Sequence, residues 1–276
     1  MDSGLENSYF LLERAFLPPD AHHSITVNKL TEFRDNYIKL ISKLISNQGD
    51  SQSVEQAMSN AVGGSFESIG YLEKKLLQQQ GLKPNHTLVD VGCGSGRLLS
   101  QLREDDINGY LGTDISQELL DYSAQFLHNS NWRLEKVEGY SIPASDNFAD
   151  MVCMFSVITH LMPQHTYLYF REASRVLRTG GKLVVSFLEF RHKELWPIFE
   201  GSINMLEQEG QLDMFVDRDG LRLWGEKAGL EVVKFYDGEK PHITIDREIV
   251  FDNGLKVDKL ARLGPVGQSV VIFKKA

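Results

Sequence analysis

Three glycines at alternate positions, Gly92, Gly94 and Gly96, stand at the junction of the apolar run Leu88–Val91 and the helix-like run Ser95–Arg103. A strand-to-helix junction stripped of side chains lets the backbone approach a ligand closely. The dinucleotide-binding pattern is G-x-G-x-x-G, so the third glycine here comes one position early. Asp90, just ahead of the glycines, narrows the ligand further. A carboxylate repels a pyrophosphate and attracts an amino group or another cation. Asp114 ends a second strand-like run, where an acid can accept hydrogen bonds from both hydroxyls of a ribose. Glu138 ends a third, where its carboxylate can meet the amino group of an adenine.

A cationic amino-acid head, a ribose and an adenine, without a pyrophosphate, describe S-adenosylmethionine better than NAD. Candidates for a general base follow in "SVITHLMPQH", which holds His160 and His165, and further on at Glu189 and His192. His160 sits on the loop after the fourth strand-like run, where it either takes a proton or orders the loop. His165, two residues after Pro163, reads as a solvent-facing residue in the first turn of a helix. The His and carboxylate pairs have no metal-ligand spacing, so no metal is expected. Cys93 and Cys153 read as small buried apolar residues.

The chain must hold these residues on a scaffold of alternating elements. Strand-like runs fall at 87–92, 109–115, 132–139, 148–156, 182–189, 230–236 and 269–275, and helical ones at 95–103, 116–129, 164–177 and 218–228. Such alternation implies an α/β fold with a parallel sheet covered by helices on both faces. The last two strands lack a helical crossover, which makes them an antiparallel pair. Upstream, apolar steps of three and four predict helices over 25–48 and 66–80. The division expected is an N-terminal helical cap over 1–80 and a core over 81–276, with lid insertions at about 191–217 and 237–268.

The runs "LVDVGCGSGRLLSQL", "YLGTDIS", "VEGYSIPASDNFADMVCMFSVITHL" and "REASRVLRTGGKLVVSF" together resemble the class I S-adenosylmethionine-dependent methyltransferases. The likeness covers roughly Leu82 to Glu189, and the region before it resembles small-molecule or saccharide methyltransferases. The resemblance implies a Rossmann-like sheet of seven strands with the last inserted antiparallel. It implies S-adenosylmethionine as cofactor and S-adenosylhomocysteine as product. Asp90, Gly92, Cys93, Gly94 and Gly96 would then surround the methionine part, Asp114 would take the ribose, and Ile115 would pack on the adenine. The acidic position of the third motif falls on Glu138, with Gly139 after it. The family usually has the shorter Asp there. Phe155 would line the sulfonium side.

The implied reaction is transfer of a methyl group to a small molecule, foremost at oxygen and with base assistance, with nitrogen or carbon as alternatives. A dehydrogenase of the related dinucleotide fold and a protein that binds the cofactor without turnover are the rival readings. A net charge of −9 argues against nucleic acid as partner. No apolar run is long enough to span a membrane, and no signal peptide pattern opens the chain, so a cytoplasmic location is expected. The acceptor and the oligomeric state are not legible. Aromatic and apolar residues of the cap and insertions, among them Tyr9, Phe10, Phe16, Trp196, Phe199, Met205, Met214 and Phe215, either line an apolar acceptor site or form the buried side of the lid.

Overall fold

The computed structural model describes residues 35–43, 53–209 and 213–276. Tyr9, Phe10 and Phe16 lie outside them. The centre is a seven-stranded sheet of β1 (Thr87–Val91), β2 (Gly109–Asp114), β3 (Trp132–Lys136), β4 (Ala149–Met154), β5 (Leu177–Phe187), β6 (Leu230–Tyr236) and, last in the chain, Ser269–Lys275. Its order is β3-β2-β1-β4-β5-(269–275)-β6. The first five strands run parallel, and residues 269–275 lie antiparallel between β5 and β6. The expected Rossmann-like sheet of seven strands with an antiparallel insertion is therefore the observed one.

Successive strand residues face opposite sides of a sheet, and the core divides accordingly. Leu88, Val270 and Ile272 join one cluster, while Val89, Val91, Val271 and Phe273 join the other. The central strands are largely buried because helices cover both faces.

Helix α1 comprises residues 35–43, inside the longer helix expected at 25–48. A helix that the sequence pattern does not predict, α2 (Val54–Ala61), follows, capped by the Ser53 hydroxyl. Helix α3 (Phe66–Gln79) then places Leu72, Leu76 and Leu77 on the first face. The expected helix at 95–103 is replaced by turns and one short helical turn, Leu99–Gln101. Its polar groups are spent elsewhere: the Ser95 hydroxyl donates to the Met58 carbonyl, and the Arg97 guanidinium to the Val62 carbonyl. Helix α4 (Gln117–Ser123) starts at the Ser116 cap and is shorter than expected. Helix α5 (Pro163–Val176) opens with proline at its first position, where no N–H is required.

The first insertion contains α6 (Trp196–Glu209) and leads to α7 (Arg218–Lys227). The second packs against α3. Ile243, Ile249 and Phe251 enter the first core cluster, and Gln79, Tyr71, Ser68 and Ser65 bond to residues 244–252 along the helix. Because the closing strand runs antiparallel, the loop before it, 263–268, arrives at the edge where the parallel strands end. That edge lies outside the carboxyl ends of β1 and β4, where the strand order reverses, and it is where such sheets bind ligands.

Candidate active site

Two adjoining cavities occupy this edge. The larger, about 460 Å³, is bordered by the glycine turn, Asp90, Arg97, Phe155, α1, the end of β5 and residues 263–268. The smaller, about 250 Å³, is bordered by Ile115, Glu138, Gly139, Tyr140, Met162, His165 and Tyr169. Tyr37, Gly92, Asp114, Ser156 and His160 border both, and so mark the passage between them.

The turn after β1 needs its glycines. Gly92 has φ +69°, and a Cβ there would stand 2.6 Å from Val157 Cγ2. Gly94 has φ +56°, and its Cβ would meet Val62 Cγ1 at 2.7 Å. Both distances are shorter than any real contact tolerates, so the cradle exists only with bare backbone.

Asp114 fixes that cradle in place. Its Oδ2 accepts the Gly94 amide at 2.9 Å, and its Oδ1 accepts the Ser116 amide at 2.9 Å. Burial raises its pKa, and these amide bonds oppose the rise. Asp90 is also buried. The Tyr110 hydroxyl donates to its Oδ2 at 2.8 Å, and the Cys153 thiol lies 3.4 Å from its Oδ1. Burial pushes the Asp90 carboxyl up to about 7, against the lowering effect of the Tyr110 bond. A cation arriving beside it would restore the ionised form.

Arg97 is a site residue that the sequence pattern conceals. It is buried, its Nη1 donates to the Val62 carbonyl at 2.6 Å, and its Nη2 donates to Glu73 Oε1 at 2.6 Å. Its Nε is buried without a hydrogen-bond partner. The guanidinium's charge is balanced by Glu73, and the residue borders the larger cavity. A basic residue within a helix-like run gives no warning of this, because such residues usually point to solvent.

Residues 89–185 match the family model described as a methyltransferase domain. That region is a methyltransferase domain, and the sheet that carries it has the class I S-adenosylmethionine-dependent methyltransferase fold. This methyltransferase is 25% identical over 233 residues to a malonyl-[acyl-carrier protein] O-methyltransferase of Hahella chejuensis, covering 78% of each chain. Its fold is similar to that of magnesium protoporphyrin IX methyltransferase from Synechocystis, with TM-score 0.53, 12% identity, and 91% of this chain and 99% of that one covered. It is also similar to a methyltransferase from Methanosarcina mazei, with TM-score 0.50, 18% identity, and 72% and 96% covered.

The residues singled out in the methyltransferase sequence divide as follows. Asp90, Gly92, Cys93, Gly94, Asp114 and Phe155 border the larger cavity, and Ile115, Glu138 and Gly139 border the smaller. Gly96 borders neither; it packs against α4, where a Cβ would stand 2.5 Å from Ser123 Oγ. His160 stands at the passage, with its ring 5.3 Å from that of Tyr37 and its Nδ1 3.9 Å from Asp213 Oδ1. His165 corrects an expectation. It is buried instead of solvent-facing, because its ring stacks on Tyr140 at 4.4 Å. Burial lowers its pKa, which favours the neutral ring.

Two further candidates for a base lie away from both cavities. Glu189 is buried in an ion pair with Arg218 at 2.7 Å. His192 Nε2 lies 3.1 Å from the Val266 carbonyl. Of the glycines after α2, Gly63 borders the larger cavity and Gly64 abuts Asp252 Oδ2. No helix among the described residues is long and apolar enough to cross a membrane.

Proposed function

We propose that this enzyme methylates a small-molecule acceptor at oxygen, using S-adenosylmethionine, with His160 as general base. The observation that carries the reading is the pair of joined cavities with His160 at their junction. The two chambers suit the two halves of the cofactor. The smaller offers Ile115 to the adenine face, Glu138 and Gly139 to its edge, and the Asp114 carboxylate to the ribose. The larger offers Asp90 to the amino group, backbone at Gly92, Cys93 and Gly94, and the Arg97 guanidinium, whose residue borders it, to the carboxylate. A zwitterion thus meets an acid and a base held apart by the glycine turn.

When bound, S-adenosylmethionine supplies an electrophilic methyl group on a sulfonium. The protein's share is to hold the acceptor in line with it, which can supply much of the rate. His160 takes the acceptor proton, and Phe155 shields the reacting end from water. Residues 1–80 act as a cap, and the insertions at 191–217 and 237–268 complete the wall on the acceptor side. The net charge of −9 favours a small molecule over nucleic acid, and a cytoplasmic setting fits that acceptor class.

The test is formation of S-adenosylhomocysteine across a panel of small hydroxyl, amine and carbon-acid acceptors. Turnover with a hydroxyl compound, reduced about 100-fold or more in His160→Gln, is the expected result. Turnover with amines alone would replace this reading by N-methylation. Cofactor binding without turnover of any acceptor would favour a sensing protein.

A further inference from the structure

Residues 213–216 bridge the loop that carries His160 and the end of β5. The Met214 amide donates to the Thr159 carbonyl at 2.6 Å, and the Val216 amide to the Leu188 carbonyl at 3.0 Å. Phe215 pairs in parallel with Leu188. These bonds hold Asp213 beside His160, with Oδ1 3.9 Å from Nδ1. Both side chains border the larger cavity. Asp213 is half-buried; desolvation raises its carboxyl, and charge on His160 draws it back down.

We infer that Asp213 is a positioning residue for His160, and that the pair is built for a neutral hydroxyl acceptor and against a carboxylate. The inference rests on the reading of His160 as the base. A carboxylate is already ionised at neutral pH, needs no base, and would be repelled by Asp213. A hydroxyl arrives with its proton. That proton passes to Nε2, on the side of the ring away from Asp213, while the oxygen forms its bond to the methyl carbon. The pair of electrons in the breaking carbon–sulfur bond stays with sulfur, and the imidazolium, steadied by Asp213, later gives its proton to water.

The rest of the acceptor side agrees. Leu188, Leu195, Ile198, Leu263, Pro265 and Val266 line it with apolar surface. The basic lining residue, Arg97, sits at the glycine end and is paired with Glu73. The other ionisable groups bordering the cavities around His160 are Tyr37, Asp90, Cys93 and Asp114, with Glu138, Tyr140, His165 and Tyr169 in the smaller one.

Two measurements on the full chain test the pair. In carboxyl-labelled protein followed by NMR, the titration midpoint of Asp213 moves upward in His160→Gln, because a neighbouring positive charge is removed. An unmoved midpoint in a variant that still binds S-adenosylmethionine overturns the pairing. With S-adenosylhomocysteine present, phenol perturbs the Asp213 signal and benzoate at the same concentration does not. Benzoate perturbing it as strongly, or neither probe doing so, overturns the assigned acceptor class. Absence of cofactor binding by the wild type would instead sink the underlying function.

Discussion

Asp114 Oδ2 accepts the backbone amide of Gly94 at 2.9 Å, so the end of β2 and the turn after β1 form one unit. The acid read from sequence as a ribose acceptor is also the tether of the cradle. Asp114→Ala leaves two buried amides, those of Gly94 and Ser116, without their acceptor. A loss of about 1–3 kcal/mol in stability is expected from such unsatisfied groups. Calorimetry on the variant then shows S-adenosylmethionine affinity falling more than its melting temperature alone explains. Asp114→Asn, which keeps one carbonyl acceptor, falls between the two.

Gly94→Ala tests the cradle directly. The added methyl group stands 2.7 Å from Val62 Cγ1 at a backbone φ of +56°. Strain at such a position costs about 1–3 kcal/mol. Chemical denaturation should show that loss, and cofactor binding should weaken along with it.

The proposed role of Arg97 is to meet the carboxylate end of the cofactor. Removing it alone strands Glu73 in a buried site, a penalty of about 3–5 kcal/mol, so the informative variant is Glu73→Gln/Arg97→Met. Charge-assisted hydrogen bonds contribute about 1.5–3 kcal/mol. The double variant should therefore bind S-adenosylmethionine about 10- to 100-fold more weakly. Methylthioadenosine, which lacks the carboxylate, should bind it as it binds the wild type.

Asp90 makes stability depend on pH. Its folded carboxyl is raised from 3.8 to about 7. Between those values the folded state keeps a proton that the unfolded state has released, so stability is fullest near the unfolded value and falls as pH rises toward 7. Within that window the decline amounts to about 1.4 kcal/mol for each step of one in pH. Denaturant unfolding at pH 5 and pH 8 should show a decline in the wild type that is smaller in Asp90→Asn. Ionising Asp90 against the cofactor's amino group should also release a proton on binding near pH 7. Titrations in buffers of different ionisation enthalpy measure that release.

The legible part of this protein is the part set by backbone. Three positive-φ glycines and two strand-end acids mark a turn that few other structures demand, and unbroken apolar runs such as Met151–Met154 mark buried strands. Long-range pairings leave no such trace. Arg97 and Asp213 look like ordinary surface charges until Glu73 and His160 are brought to them by the fold. His165 misleads because its burial comes from Tyr140, 25 residues away in the loop after β3. The second insertion reads as a loop because its strands are only two residues long and its apolar residues pack on α3.

The most direct test of the central claim is calorimetric titration of the purified full chain with S-adenosylmethionine and, separately, with NADH. The two joined cavities predict saturable one-to-one binding of S-adenosylmethionine, sharply weakened in Asp114→Ala, and no binding of NADH. Binding of NADH in its place, or of neither ligand, would contradict the account and leave the glycine cradle to another ligand.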